Sequence, residues 1–337
     1  MQAAIYGLAG EALTQDERDF FRDADPAGYI LFARNVADKA QLRALTDALR
    51  ELSGRDDLPI LIDQEGGRVA RMRPPVWPDF PNAGVFADLY RHAPATAIEA
   101  TRWNAQAIGA VLHEAGVNVN CLPLLDVRQP GASDIIGDRA LGTDPMQVAA
   151  LGRAVLDGMA ASGVVGVVKH MPGHGRALVD SHKELPVVDA PEDALEIDLE
   201  PFVTLHNAPM GMTAHVVYTA WDDERCGSLS PLVIEAIIRG RIGFDGLLMS
   251  DDLGMHALSG SFEDRARGVL EAGCDLALHC SGDMNEMVSL ARGLGALSDK
   301  ARARLERAMS TVAGRAPAAP VAELAARRDA LIAAVRG

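Results

Sequence analysis

Short apolar runs bounded by turn residues recur along the chain at 3–7, 28–33, 59–63, 117–121, 164–168, 210–214, 246–250 and 275–279. Each has the length of a buried strand, and the intervals leave room for a helix, which is the pattern of parallel strand–helix units. Between them, stretches such as 40–52, 97–115, 146–162 and 231–239 carry apolar residues at helical spacing with charges on the other face. Eight such repeats predict a (β/α)8 barrel. Beyond about residue 281 the chain is rich in Ala and Arg and is broken by Pro317 and Pro320. Helices packed on the barrel exterior are expected there. No linker demands a second domain, so 1–337 reads as one domain with a helical extension at about 281–337.

In barrels of this kind the active site lies at the C-terminal ends of the strands. The residues following the runs are polar: Arg34-Asn35, Gln64-Glu65, Lys169-His170, His215 and Asp251-Asp252. A purely structural barrel has no need of such a crown. Composition narrows the field further. With 32 basic against 47 acidic residues, the net charge of −15 repels nucleic-acid phosphates and anionic lipid head groups. No apolar run reaches the roughly 18 to 20 residues that span a bilayer, and the N-terminus lacks a basic export signal. Cys121, Cys226, Cys274 and Cys280 are scattered without a CxxC pair, which fits buried thiols in a reducing compartment and an expected cytoplasmic location.

The densest chemistry lies in residues 169–182, Lys-His-Met-Pro-Gly-His-Gly-Arg-Ala-Leu-Val-Asp-Ser-His, which begins at a strand end. Asp180 stands two residues before His182, so its carboxylate can orient the ring and stabilise the protonated form. That pair is a candidate proton shuttle near neutral pH. A nucleophile is expected from Asp251-Asp252, after the run at 246–250. Successive strand side chains alternate, so one of the two faces the pocket and the other caps or supports. In Asp63-Gln-Glu-Gly-Gly-Arg-Val-Ala-Arg71, Asp63 can accept from hydroxyls and Arg71 can donate several hydrogen bonds, a pattern suited to a polyol.

These segments, with Ile30-Leu-Phe-Ala-Arg-Asn35, Pro123-Leu-Leu-Asp-Val127 and Ser250-Asp-Asp-Leu253, occur in an order that resembles the glycoside hydrolase family 3 β-N-acetylhexosaminidases over nearly the whole chain. The similarity is to the single-domain bacterial enzymes of cell-wall recycling. It implies a retaining hydrolase of terminal β-linked N-acetylglucosamine with no metal or organic cofactor. By resemblance, Asp251 is the nucleophile, His182 the acid/base and Asp180 its orienting partner. Sugar-binding roles fall on Asp63, Arg71, Arg139, Lys169 and His170. The implied substrate is N-acetylglucosaminyl-1,6-anhydro-N-acetylmuramic acid with or without peptide, and the implied state is a monomer with no macromolecular partner. The chain departs from the family pattern in three places: Met171 stands where Phe is expected, 176–179 is an unfamiliar filling, and Gly254 replaces Ser.

Two other readings of the residues remain. His170, His174, His182 and His215 could hold a divalent metal in a hydrolytic barrel, although Pro172 and Gly173 spoil the helical pairing of His170 with His174. Alternatively, the barrel could bind sugar without turning it over, a role for which Asp180, His182 and Asp251 would be superfluous.

Overall fold

A computed structural model describes residues 1–181 and 183–336. Among the described residues eleven strands form in chain order: β1 (Gln2–Gly7), β2 (Pro26–Leu31), β3 (Ile60–Ile62), β4 (Val119–Asn120), β5 (Val165–Met171), β6 (Val187–Val188), β7 (Met210–Thr213), β8 (Val217–Tyr218), β9 (Asp222–Cys226), β10 (Leu247–Asp252) and β11 (Leu276–His279). Eight of them close a parallel barrel in the order β1-β11-β10-β7-β5-β4-β3-β2. Each of the eight apolar runs contributes one of these strands. The short β6, β8 and β9 make a separate sheet.

The expected helices also form, and their ends follow local rules. Lys39–Ser53 starts where the Asp38 side chain accepts the Gln41 N–H, and it stops at Gly54, whose φ of 67° suits only glycine readily. Pro145 opens Pro145–Ala161 behind the Asp144 cap. Pro94–Glu114 matches the stretch expected at 97–115. One element differs from expectation, because Val233–Arg241 winds as a π-helix and not as an α-helix.

The barrel interior is built by alternation. Leu61 of β3, Val165 and Val167 of β5, Met210 and Met212 of β7, and Leu247 and Met249 of β10 share one buried cluster. Counting two further along three of these strands reaches Asp63, Lys169 and Asp251, so the top interior layer is charged where the lower layers are apolar. The lower end is closed by Asp299–Ser310, whose Leu305, Ala308 and Met309 join the same cluster. The last helix, Val321–Arg336, lies against Pro94–Glu114, where Arg328 donates to Asn104 at 2.9 Å and Arg327 stacks over Trp103.

Candidate active site

A cavity of about 240 Å³ opens at the C-terminal end of the barrel, lined among others by Asp63, Arg71, Arg139, Lys169, His170 and Asp251. Its volume lies just below the usual range for ligand sites. One wall is a buried charge chain. Lys169 Nζ lies 3.1 Å from Asp63 Oδ1 and 2.8 Å from Glu65 Oε1. Arg139 grips both Glu65 oxygens at 2.8 Å, and Arg71 reaches Asp63 Oδ2 at 3.0 Å while stacking over Phe32. Burial works to raise the carboxyl pKa values of Asp63 and Glu65, but the adjacent Lys169, with Arg71 and Arg139, outweighs it and holds both below the ordinary range. Burial likewise opposes the Lys169 charge, and Glu65 and Asp63 overcome it.

Asp251 faces this wall and is only 7% exposed. Burial pushes its pKa up, while His170, His215, the Asp252 N–H at 2.9 Å and Lys169 hold it down, so the net shift is downward. The result is an ionised carboxylate in a largely desolvated site. Asp252 spends its Oδ1 on the backbone N–H groups of Gly254 and Cys280.

His170 would point away from Lys169 if strict alternation continued to the end of β5. The register of β5 against β7 shifts between Val168 and Met171, and Lys169 and His170 both line the cavity. Asp126, wholly buried, fixes the ring: its Oδ2 lies 2.8 Å from His170 Nδ1, and its Oδ1 accepts the backbone N–H groups of His170 and His174. Burial opposes the Asp126 charge, but His170 and these donors bring its pKa to about 2. Nδ1–H therefore points to Asp126, and Nε2 is left for the cavity side.

His174 also lines the cavity, and burial and the neighbouring His170 push its pKa down. Its Nδ1 and Arg71 Nε are buried without a hydrogen-bond partner among the described residues. His215 lies outside the cavity lining; Ser228 Oγ sits 2.8 Å from its Nδ1, and its Nε2 donates to the Asp252 carbonyl at 3.0 Å. Ser181 lines the cavity and Asp180 sits half-buried beside it. His182, expected as the acid/base, lies outside the described residues. No group of three or more potential metal ligands forms among the described residues.

Comparison with known proteins shows the family. The family described as glycosyl hydrolase family 3 N terminal domain matches residues 4–313. The chain belongs to glycosyl hydrolase family 3. A β-hexosaminidase of Aromatoleum aromaticum is 38% identical over 304 residues, 89% of this chain and 85% of the relative. One of Alkalilimnicola ehrlichii is 41% identical, over 82% and 80% of the two chains. Among solved structures, NagZ from Neisseria gonorrhoeae in complex with N-trifluoroacetyl-D-glucosamine superposes with a TM-score of 0.85 at 29% identity, covering 99% of this chain and 98% of that one. The same protein in complex with zinc ion gives a TM-score of 0.83 at 28% identity, with the same coverage. This family 3 member is a glycoside hydrolase of the β-hexosaminidase kind, and its barrel is the family's fold. No helix among the described residues is long and apolar enough to cross a membrane.

Two residues of the family 3 site had no role in the sequence reading. Glu65 sits inside the 63–71 motif and Asp126 inside 123–127, so both were in view, but nothing in a linear sequence says that Glu65 meets Arg139 or that Asp126 meets His170. Asp126→Asn should cost roughly 10² to 10⁴-fold in kcat/KM on an aryl glycoside, because an amide NH₂ facing Nδ1 imposes the other tautomer on His170. Unchanged kcat/KM would mean that the tautomer of His170 is immaterial.

Proposed function

We propose that this family 3 enzyme removes terminal, non-reducing β-linked N-acetylglucosamine with retention of configuration, through a covalent intermediate on Asp251. The carrying observation is the position of that carboxylate: inward on β10, ionised, nearly excluded from water, and opposite a wall of Asp63, Lys169, Arg71 and Arg139 that offers both donors and acceptors to sugar hydroxyls. Arg71 Nε and His174 Nδ1, which have no hydrogen-bond partner among the described residues, add hydrogen-bonding capacity that a ligand would use. The sugar in the gonococcal NagZ complex supports the choice of a glucosamine derivative.

In this reading Asp251 attacks the anomeric carbon while His182, oriented by Asp180, protonates the leaving oxygen; His182 then takes a proton from water, which releases the sugar from Asp251. The proposed natural substrate is a cell-wall fragment, N-acetylglucosaminyl-1,6-anhydro-N-acetylmuramic acid with or without peptide, met in the cytoplasm by a monomeric enzyme. Lys169, His170, Asp63, Arg71 and Arg139 hold the sugar.

His182→Ala should depress kcat/KM for the natural disaccharide at least about tenfold more than for a dinitrophenyl glycoside, because a good leaving group leaves without a proton. Equal losses on both would remove His182 from the acid role. The zinc complex of gonococcal NagZ keeps one second reading in play, a metal-dependent hydrolase. His215 argues against it, since Ser228 and the Asp252 carbonyl take both its nitrogens, and no group of three or more potential metal ligands forms among the described residues. Turnover of the p-nitrophenyl glycoside in excess EDTA tests this directly: full activity supports the metal-independent route, and loss reversed by added zinc would replace it.

A further inference from the structure

The strand that carries Asp251 outlasts one of its neighbours. Leu247, Leu248 and Met249 of β10 pair with Met210, Gly211 and Met212 of β7, a constant offset of 37 residues, and β7 ends at Thr213 while β10 runs on to Asp252. On the β11 side the end of β10 is still laddered: the Leu253 N–H donates to the Leu278 carbonyl at 2.9 Å, and the Cys280 N–H donates to Asp252 Oδ1 at 3.0 Å. On the β7 side the same offset sets residue 215 opposite Asp252. What meets the Asp252 carbonyl there is a side chain, because His215 Nε2 donates to it at 3.0 Å.

The ring is fixed from behind. Its Nδ1 lies 2.8 Å from Ser228 Oγ, which is itself 2.7 Å from Thr213 Oγ1, and all three residues are wholly buried. A carbonyl oxygen only accepts, so Nε2 carries a proton whatever the charge on the ring. Satisfying a buried strand-end carbonyl is by itself an ordinary structural task. The carbonyl in question, however, belongs to the residue that holds the nucleophile: the Asp252 N–H donates to Asp251 Oδ1 at 2.9 Å, and Asp252 Oδ1 also takes the Gly254 N–H at 2.9 Å. With its carbonyl and its carboxylate both held, Asp252 cannot swing its N–H away from Asp251.

We propose that His215, fixed by Ser228, is a positioning residue for the nucleophile: by holding the Asp252 carbonyl it anchors the end of β10 and so sets the aim of Asp251 at the anomeric carbon. The proposal rests on the reading of Asp251 as nucleophile. The imidazole does for the end of β10 what a backbone N–H of β7 does lower down. It stands outside the cavity lining, so it governs attack and not sugar affinity, which belongs to Asp63, Arg71, Arg139 and Lys169 on other strands and loops.

The test compares His215→Leu, His215→Asn and His215→Gln. Glutamine can place an amide N–H where Nε2 stands, asparagine only where Nδ1 stands, and leucine offers no donor. For the leucine and asparagine variants the expected kcat/KM is about 10²-fold below the parent, the scale set by misplacing a reacting group by an ångström. The loss should be equal on dinitrophenyl and p-nitrophenyl β-N-acetylglucosaminides, because the aim of a nucleophile matters whether or not the leaving group needs a proton. The inhibition constant for N-acetylglucosamine should stay within about threefold of the parent, and His215→Gln should recover kcat/KM to within about tenfold. A parental kcat/KM in the leucine and asparagine variants, a loss confined to the p-nitrophenyl glycoside, a weakening of sugar inhibition as large as the loss of kcat/KM, or a glutamine variant as impaired as the asparagine one would each overturn the proposal. If the leucine variant does not fold, the contrast between glutamine and asparagine decides alone. Asp251→Asn, run in parallel, separates the two ideas. If it turns over like the parent, the nucleophile reading fails and carries the proposal with it; if it is inactive while the His215 variants keep parental kcat/KM, only the positioning role of His215 is lost.

Discussion

Asp251→Asn should lower kcat/KM for p-nitrophenyl β-N-acetylglucosaminide by roughly 10⁴-fold or more, the scale on which enzymes lose activity when a nucleophile is deleted. The amide is isosteric, and its oxygen can still accept the Asp252 N–H, so the end of β10 has no reason to move. Sugar affinity should change little, because the hydrogen-bonding wall of Asp63, Lys169, Arg71 and Arg139 stands on other strands and loops. What disappears is the anion opposite the anomeric carbon. Asp251→Ala sharpens the test: azide fitting the vacated space should attack from the nucleophile's side and yield the α-glycosyl azide from a β-glycoside, one displacement where the parent makes two. Turnover of either variant within about tenfold of the parent, or a β-configured azide product, would take the nucleophile role away from Asp251.

Lys169→Met should be the most damaging substitution for stability and, through the sugar site, for activity. Lys169 is only 2% exposed and its ammonium bridges Asp63 and Glu65. Methionine fills similar volume, so the loss is of charge and not of packing. Breaking a buried ion network from one side costs about 3 to 5 kcal/mol because the remaining charges stay desolvated, which for a chain of this length means a fall in Tm of about 4 to 7 °C. The pH dependence has a definite sign. The folded-state pKa values of Asp63 and Glu65 are depressed, so each contributes stability that is present above its unfolded value of about 4 and is lost as pH falls through the folded value. In Lys169→Met those folded values rise toward or past the unfolded ones, so the variant should unfold at a higher pH on acid titration than the parent. Coincident acid transitions and equal Tm values would show that Arg71 and Arg139 alone neutralise the two carboxylates.

Much of this was written in the one-dimensional pattern. Eight apolar runs separated by helix-length intervals can bury themselves in few ways, and right-handed parallel crossovers leave the closed barrel as the economical one. The same alternation that sends Leu247 and Met249 inward sends Asp251 inward too, and Asp63 and Lys169 follow on their own strands by the same count. The inward face of the site was therefore legible because it obeys a period of two.

Tertiary structure decided what that period does not govern. His170 enters the cavity beside Lys169 at the end of β5, where the register against β7 shifts, and a register shift depends on the neighbouring strand. Glu65 finds Arg139, and Asp126 finds His170, across separations of 74 and 44 residues that no spacing rule encodes. His215, a candidate metal ligand from its place after a strand, is bound instead to Ser228 and the Asp252 carbonyl, outside the cavity lining. Arg176, which in sequence is only an odd filling, acquires a partner on a helix that starts sixteen residues later. Local patterning fixes which way a side chain points from its own strand; which charge it meets there depends on how the barrel closes and where its loops cross.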